Sequence, residues 1–430
     1  MIGRPVLRRR EVRVARKTGC EPVLGDRTVR RVISGGTAGR VAVGLLGFAA
    51  FAVGTCELVL AGVLPGLSSS FGVPVSVGGQ VVTVFGLTCA LLAPGLATAT
   101  ARWPRRPVLL GALGLYLLGV AGTAVAPVLP VVFAAQVVAA AGAGLFLPAA
   151  TAAAAGLVPE RARGRAIAVV STGMTAATAL VAPLGTVIGG LAGWRATMWF
   201  VAGLAVLAGA GLVAVLPRGQ AGEVQSLRER VRPLADRRVL ALLGTTLCAF
   251  TAVYLPYTYI SAVFAPATGG DPVRLAVLMS AVGVVGAGSN LAAGALVDRL
   301  GGRAVVAGAL SGLAVVLAAL PLGTGNMPAA LVLVVLYGAV GFAVTTPQSH
   351  RLVALRPESG PVLLSLNAAV LYLAISLSGA VGAGVIELAG AAALGVPGVV
   401  LVLAALGASE FAARAPGLRT GAGLRRPRRQ

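Results

Sequence analysis

The sequence is poor in the residues on which most enzyme chemistry depends. Of its 430 residues one is histidine (His350), four are cysteine and thirteen are acidic. One histidine supplies neither a histidine-based metal site nor a catalytic triad. Cys20, Cys56, Cys89 and Cys248 lie far apart, without metal-ligand spacing or a disulfide framework, and three of them fall in apolar runs, where they read as small hydrophobic residues. No acids cluster within the apolar runs as a metal-dependent membrane enzyme would require, and no cofactor is expected. Aromatic residues make up 5% of the chain and do not alternate with basic ones, so the net charge of +22 does not indicate a nucleic-acid partner. Lysine occurs once, at Lys17, and the remaining basic residues are arginine. With the abundance of Ala, Gly and Val, this suggests a GC-rich bacterial genome.

What the chain has in excess is apolar surface. Hydrophobic residues account for 57% of it, charged residues for only 11%, and the mean hydropathy is +0.92, far outside the soluble range. An all-α polytopic membrane protein follows, and its 60 glycines allow the helices to approach closely. Apolar runs of roughly 20 residues, each able to cross about 30 Å of hydrocarbon, recur twelve times. They fall at 41–66, 76–99, 107–127, 129–157, 165–192, 196–217, 239–265, 273–297, 304–323, 328–349, 361–386 and 390–412.

Residues 1–40 hold eleven basic residues against three acids and no signal-peptide core. They read either as a disordered cytoplasmic tail or as sequence upstream of the true start. Residues 414–430 form a second basic tail. The stretch 218–238 reads as a cytoplasmic connector between a six-helix bundle at 41–217 and another at 239–413. With both termini inside, every basic residue except Arg195 and Arg274 lies on the cytoplasmic side, as the positive-inside rule requires. The crossings ATARWPRR and GALVDRLGGR occupy matching places in the two halves, with Arg102 opposite Arg299. Two pseudo-symmetric six-helix halves describe a transporter that alternates access to a central site.

GALVDRLGGR, with Gly294, Leu296, Asp298, Arg299, Gly301 and Arg303, resembles the loop signature of the major facilitator superfamily, and the likeness covers residues 41–413. Within that superfamily the chain resembles the twelve-span drug:proton antiporters and their bacterial chloramphenicol and sugar efflux relatives. The resemblance implies a conformational gate at Asp298, Arg299, Gly294 and Arg303, with Asp298 latching onto the start of the fifth span near Gly164 when the cytoplasmic side is closed. The matching crossing of the first half keeps Arg102 but lacks the acid, having Ala101 in its place. The fifth span, ALVAPLGTVIGG, is similar to the antiporter signature. Pro183 would bend it, while Gly185 and Gly189 would admit a neighbouring helix. Where the family carries a proton-coupling arginine in the fourth span, this chain has Gln136, which cannot act as a cation.

The first span, TCELVLAGVLP, places Glu57 deep in hydrocarbon, the only acid so placed. An acid mid-helix costs on the order of 2.5 to 3.5 kcal/mol on insertion scales, so Glu57 is the candidate proton carrier. The competing role is a permanently protonated hydrogen-bond donor between helices. Other polar groups within the spans are Gln80, Thr83, Gln136, Tyr254, Tyr257, Tyr259, Asn290, Gln348, Asn367 and Tyr372. By the resemblance they would line a largely apolar cavity, suited to an amphiphilic, weakly charged molecule. The expected protein is a monomeric proton-coupled exporter in the bacterial inner membrane, with protons, lipid and a small molecule such as a phenicol or an endogenous metabolite as its partners. A proton-independent or sugar-type exporter is the alternative. A channel or membrane-embedded enzyme has less support.

Overall fold

The computed structural model describes residues 37–100, 102–217 and 232–414. The N-terminal tail up to residue 36, connector residues 218–231 and the tail from 415 lie outside the described residues.

All regular structure in the described residues is helical. The long helices are α1 (Thr37–Ser70), α2 (Gln80–Ala99), α3 (Arg105–Val125), α4 (Leu129–Gly156), α5 (Arg163–Ala192), α6 (Trp194–Val215), α7 (Arg237–Thr258), α8 (Pro272–Leu300), α9 (Gly302–Ala318), α10 (Met327–Leu355), α11 (Gly360–Ala389) and α12 (Gly395–Arg414). Eleven are long and apolar enough to cross a membrane. The twelfth, α9, has 17 residues and spans about 25 Å. The continuous run expected at 304–323 is broken at Ala319, because Pro321 cannot donate to a helical carbonyl, and a separate turn, Leu320–Gly323, completes the crossing. The run expected at 239–265 is interrupted too, ending as a helix at Thr258 and continuing as the short turns Ile260–Val263 and Ala265–Thr268, the last begun by Pro266. Asp236, Asp271 and Asn326 cap α7, α8 and α10, each accepting from a backbone amide of the first turn.

Helix α5 is not uniform. Its segments Arg163–Ala176 and Ala182–Ala192 are joined by a π-turn at Ala177–Val181. Pro183 leaves a carbonyl of the preceding turn without its amide donor, and the wide turn accommodates the mismatch.

Helices α1 to α6 surround one buried core, and α7 to α12 most of a second. Tyr372 and Ile375 of α11 join the first core, while Leu58, Ala61 and Leu64 of α1 join the second, so the halves are packed together over part of their depth. One close crossing inside the first half pairs α3 with α4. A Cβ on Gly119 would lie 2.6 Å from the Ala135 carbonyl oxygen and 2.6 Å from Ala139 Cα. We therefore expect Gly119→Val to destabilise the protein by about 1 to 3 kcal/mol, read as a lowered Tm of the purified protein. An unchanged Tm would show that this crossing yields without cost.

Arg40, Arg102, Arg161, Arg299 and Arg356 all belong to one end of the bundle, called here the arginine-rich face. Arg195 and Arg274 belong to the opposite face.

Candidate functional site

The halves meet through small residues and are closed toward the opposite face. Across α2 and α11, a Cβ on Gly86 would come within 2.7 Å of the Tyr372 carbonyl oxygen and 2.8 Å of the Ser376 amide nitrogen. Across α5 and α8, one on Gly283 would be 2.6 Å from Ala179 Cα. Only glycine permits such backbone approach. Among the described residues, three side-chain hydrogen bonds join the halves. Ser76 donates to Glu387 at 2.9 Å, Gln80 donates to the Gly379 carbonyl at 3.3 Å, and Thr186 reaches Met279 Sδ at 3.3 Å. All three lie on the opposite-face side.

Toward the arginine-rich face the halves part around a cavity of about 650 Å³. Helix α5 supplies Ser171, Thr175 and Thr178, and the second half supplies Phe250, Tyr254, Asn290, Phe342, Thr345, Thr346, Ser349 and His350. The wall is aromatic and hydroxyl-bearing, with one amide and one imidazole. Among the described residues, no carboxylate and no arginine line it. Asn290 is held by accepting from both the amide (3.2 Å) and the hydroxyl (2.8 Å) of Thr346. Such a surface offers stacking and neutral hydrogen bonds, and nothing in it compensates a cationic guest.

Glu57 lies beyond the inner end of this cavity. It is half-buried and faces a void of about 10 Å³ shared with Leu58, Ala61, Val82, Tyr254, Tyr257, Thr258 and Ile375. That is close to the least space a single water needs. The Glu57 carboxylate makes no hydrogen bond among the described residues, and the Tyr257 hydroxyl on the same void is buried without a partner. Tyr254 belongs to both walls and so separates the carboxylate from the cavity. It is braced by Phe250 at 6.4 Å and edge-to-face by Tyr257 at 6.2 Å between ring centroids.

The other residues named from the sequence are distributed elsewhere. Only Tyr254 and Asn290 of that set lie on the cavity wall. Gln136 is fully buried inside the first half, donating to Thr123 Oγ1 at 3.1 Å beside Cys56. Gln348 ties α10 to α7 by donating to the Leu242 carbonyl at 2.6 Å, and Asn367 accepts from Thr246 at 2.8 Å. Gln80, Thr83 and Tyr259 cluster around Gly379 on the closed side, where the Tyr259 hydroxyl donates to its carbonyl at 2.7 Å. Tyr372 is packed where α2 crosses α11. Asp298 and Arg299 are exposed at the end of α8 with no hydrogen bond or ion pair among the described residues, and Arg102 and Gly164 are exposed likewise. In this conformation, open at that face, no hydrogen bond or ion pair among the described residues joins Asp298 to the start of α5. Gly294 faces Thr346, while Arg303 pairs with Glu410 within the second half. Gly185 and Gly189 let α5 lie against Val59 and Val63 of α1, and Pro183 is buried beside them.

Seven polar wall residues had no place in the sequence-derived cavity: Thr345, Thr346, Ser349 and His350 on α10, and the hydroxyls of Ser171, Thr175 and Thr178 on α5. The three hydroxyls on α5 recur at three- and four-residue spacing, the signal of one helix face.

Comparison with known proteins agrees with this architecture. The inner membrane transport protein YdhP of Escherichia coli (strain K12) is 28% identical over 346 residues, covering 80% of this chain and 88% of that protein. A chloramphenicol resistance protein of Streptomyces lividans is 34% identical over 306 residues, covering 70% and 77%. Among solved structures, the nucleoside transporter NupG superposes with a TM-score of 0.70 at 10% identity, covering 87% of this chain and 99% of the other. The family model described as Major Facilitator Superfamily matches residues 46–383. Two helical halves packed through glycines around a cavity open at one face thus carry the sequence pattern of a known group of transporters, and this chain belongs to the major facilitator superfamily.

Proposed function

We propose that this transporter is a proton-coupled exporter of small, uncharged amphiphilic compounds, phenicol-type antibiotics among them, with Glu57 as the coupling acid. The observation that carries the reading is the shared wall at Tyr254: the one acid deep in the spans lies directly behind a residue that a cavity-bound guest would touch. An unpaired charge in so small an apolar void is costly, so the carboxyl group exchanges its proton only when water reaches it. A guest that displaces the Tyr254 ring admits water, and the proton leaves toward the arginine-rich face. When the halves then close on that side and part between α2 and α11, the void faces the opposite solution and is reprotonated there. The similarity to a chloramphenicol resistance protein supports the cargo class, and the absence of any carboxylate on the wall supports an uncharged one.

On this reading the protein is a monomer in the bacterial inner membrane with both termini cytoplasmic, the arrangement the arginine distribution favours. A second reading, proton-independent or sugar-type export, is favoured by Gln136, which is neutral and engaged inside the first half.

Expression in an efflux-deficient host tests the cargo. A severalfold rise in the chloramphenicol concentration needed to stop growth is expected, with no change for permanently cationic dyes. Unchanged susceptibility to every uncharged antibiotic of a panel would overturn the cargo class.

A further inference from the structure

We infer that the first half carries a binding site for a phosphate-bearing anion at its arginine-rich end, separate from the central cavity. A cleft of about 540 Å³ lies there between the start of α1, the turn joining α4 to α5, and the first turns of α5. It shares no residue with the central cavity. Each of the three elements contributes one arginine to its lining: Arg40, Arg161 and Arg165.

All three are exposed, and none makes a hydrogen bond or ion pair among the described residues. The one acid of the turn, Glu160, is directed to Arg163 at 3.9 Å. Four other arginines of the same face are engaged, Arg106 with the Val213 carbonyl, Arg303 with Glu410, Arg351 with Ser409 and Arg356 with Asp236, while Arg102 and Arg299 stand outside this cleft. The cleft therefore gathers three uncompensated guanidinium groups, which repel one another until an anion lies between them. Their planar forks match phosphate oxygens. The remaining wall, including Val43, Leu157, Val158 and Val169, is apolar. A phosphate with an apolar stem satisfies both surfaces, as the head of an anionic phospholipid does. A soluble phosphate shares the head chemistry alone.

The test uses the full chain. In one arm it is reconstituted in nanodiscs of phosphatidylcholine with or without phosphatidylglycerol, then released and analysed for retained lipid by native mass spectrometry. In the other, pyrophosphate is titrated in neutral detergent and Tm is followed. Wild type should retain phosphatidylglycerol, and Arg40→Gln/Arg161→Gln/Arg165→Gln should retain it about tenfold less or weaker still. The control Arg102→Gln/Arg237→Gln/Arg414→Gln, with the same loss of charge elsewhere on that face, should behave as wild type. Arg165→Gln alone, in a chain whose Tm in phosphatidylcholine matches wild type, should show a partial loss and guards against misfolding of the triple variant. Stabilisation by pyrophosphate that depends on the same arginines, without lipid retention, assigns the site to soluble phosphates. Equal retention by both triple variants, or equal loss in both, overturns the inference.

Discussion

Glu57→Gln is expected to abolish uphill export while leaving the protein folded and able to exchange cargo downhill. The amide keeps the size and hydrogen-bonding shape of a neutral carboxyl but cannot give up a proton at any relevant pH. One proton moving inward supplies about 1.4 kcal/mol per pH unit and about 2.3 kcal/mol per 100 mV. Together, about 3.7 kcal/mol sustains a gradient of several hundredfold for an uncharged cargo. The variant should sustain none, so the predicted effect is the whole of that factor. Everted vesicles holding an internal pH reporter provide the measurement. Addition of an exported compound should dissipate an imposed proton gradient through wild type and leave it intact with the variant. Equal dissipation by both would remove Glu57 from the coupling role, whatever the cargo.

Gly86→Val and Gly283→Val should each displace the conformational equilibrium away from the state closed at the opposite face. Both glycines meet backbone atoms of the other half, which cannot swing aside as a flexible side chain could. Overpacking of this kind costs about 1 to 3 kcal/mol. Charged to one conformer alone, that changes the ratio of conformers by roughly five- to a hundredfold. A cysteine at Ser349, on the cavity wall, should then react correspondingly more slowly with an impermeant thiol reagent added at the arginine-rich face, and transport should fall with it. Gly119→Val, whose clash lies inside one half, should lower Tm without changing the labelling rate. Labelling at the wild-type rate in both interface variants would show that these crossings open and close without needing glycine.

Much of the fold was legible because hydrocarbon imposes length and composition on every crossing. Where it was misread, at Ala319 and Tyr259, an apolar run continued through a break that Pro321 and the short turns after Thr258 create. Glu57 stood out because it is the only acid deep in an apolar run, where an acid is costly whether it carries protons or serves as a neutral hydrogen-bond donor. The cavity wall was less legible. Gln136, Gln348 and Asn367 are polar for the same reason as a cavity residue would be, yet each is bonded to a neighbouring helix. A polar group in a membrane bonds to whatever is nearest, and the sequence does not say which helix that is. Ser171, Thr175 and Thr178 passed unnoticed because a helical hydroxyl can bond its own backbone and needs no partner across a space. His350 was read only as insufficient for catalysis.

The π-turn in α5 has a consequence for any comparison of this span with its relatives. Along a uniform helix of 3.6 residues per turn, positions 177 and 185 would point roughly 80° apart. Yet both meet α1, Ala177 beside Gly54 and Gly185 beside Val59. The wide turn acts as a phase correction, returning the glycine-bearing segment to the stripe that Val169 and Gly173 began. A helical wheel drawn through the whole span would rotate Gly185 and Gly189 toward the wrong neighbour, and a one-residue gap in an alignment near Ala177 would mark the loss of that correction rather than a tolerated deletion.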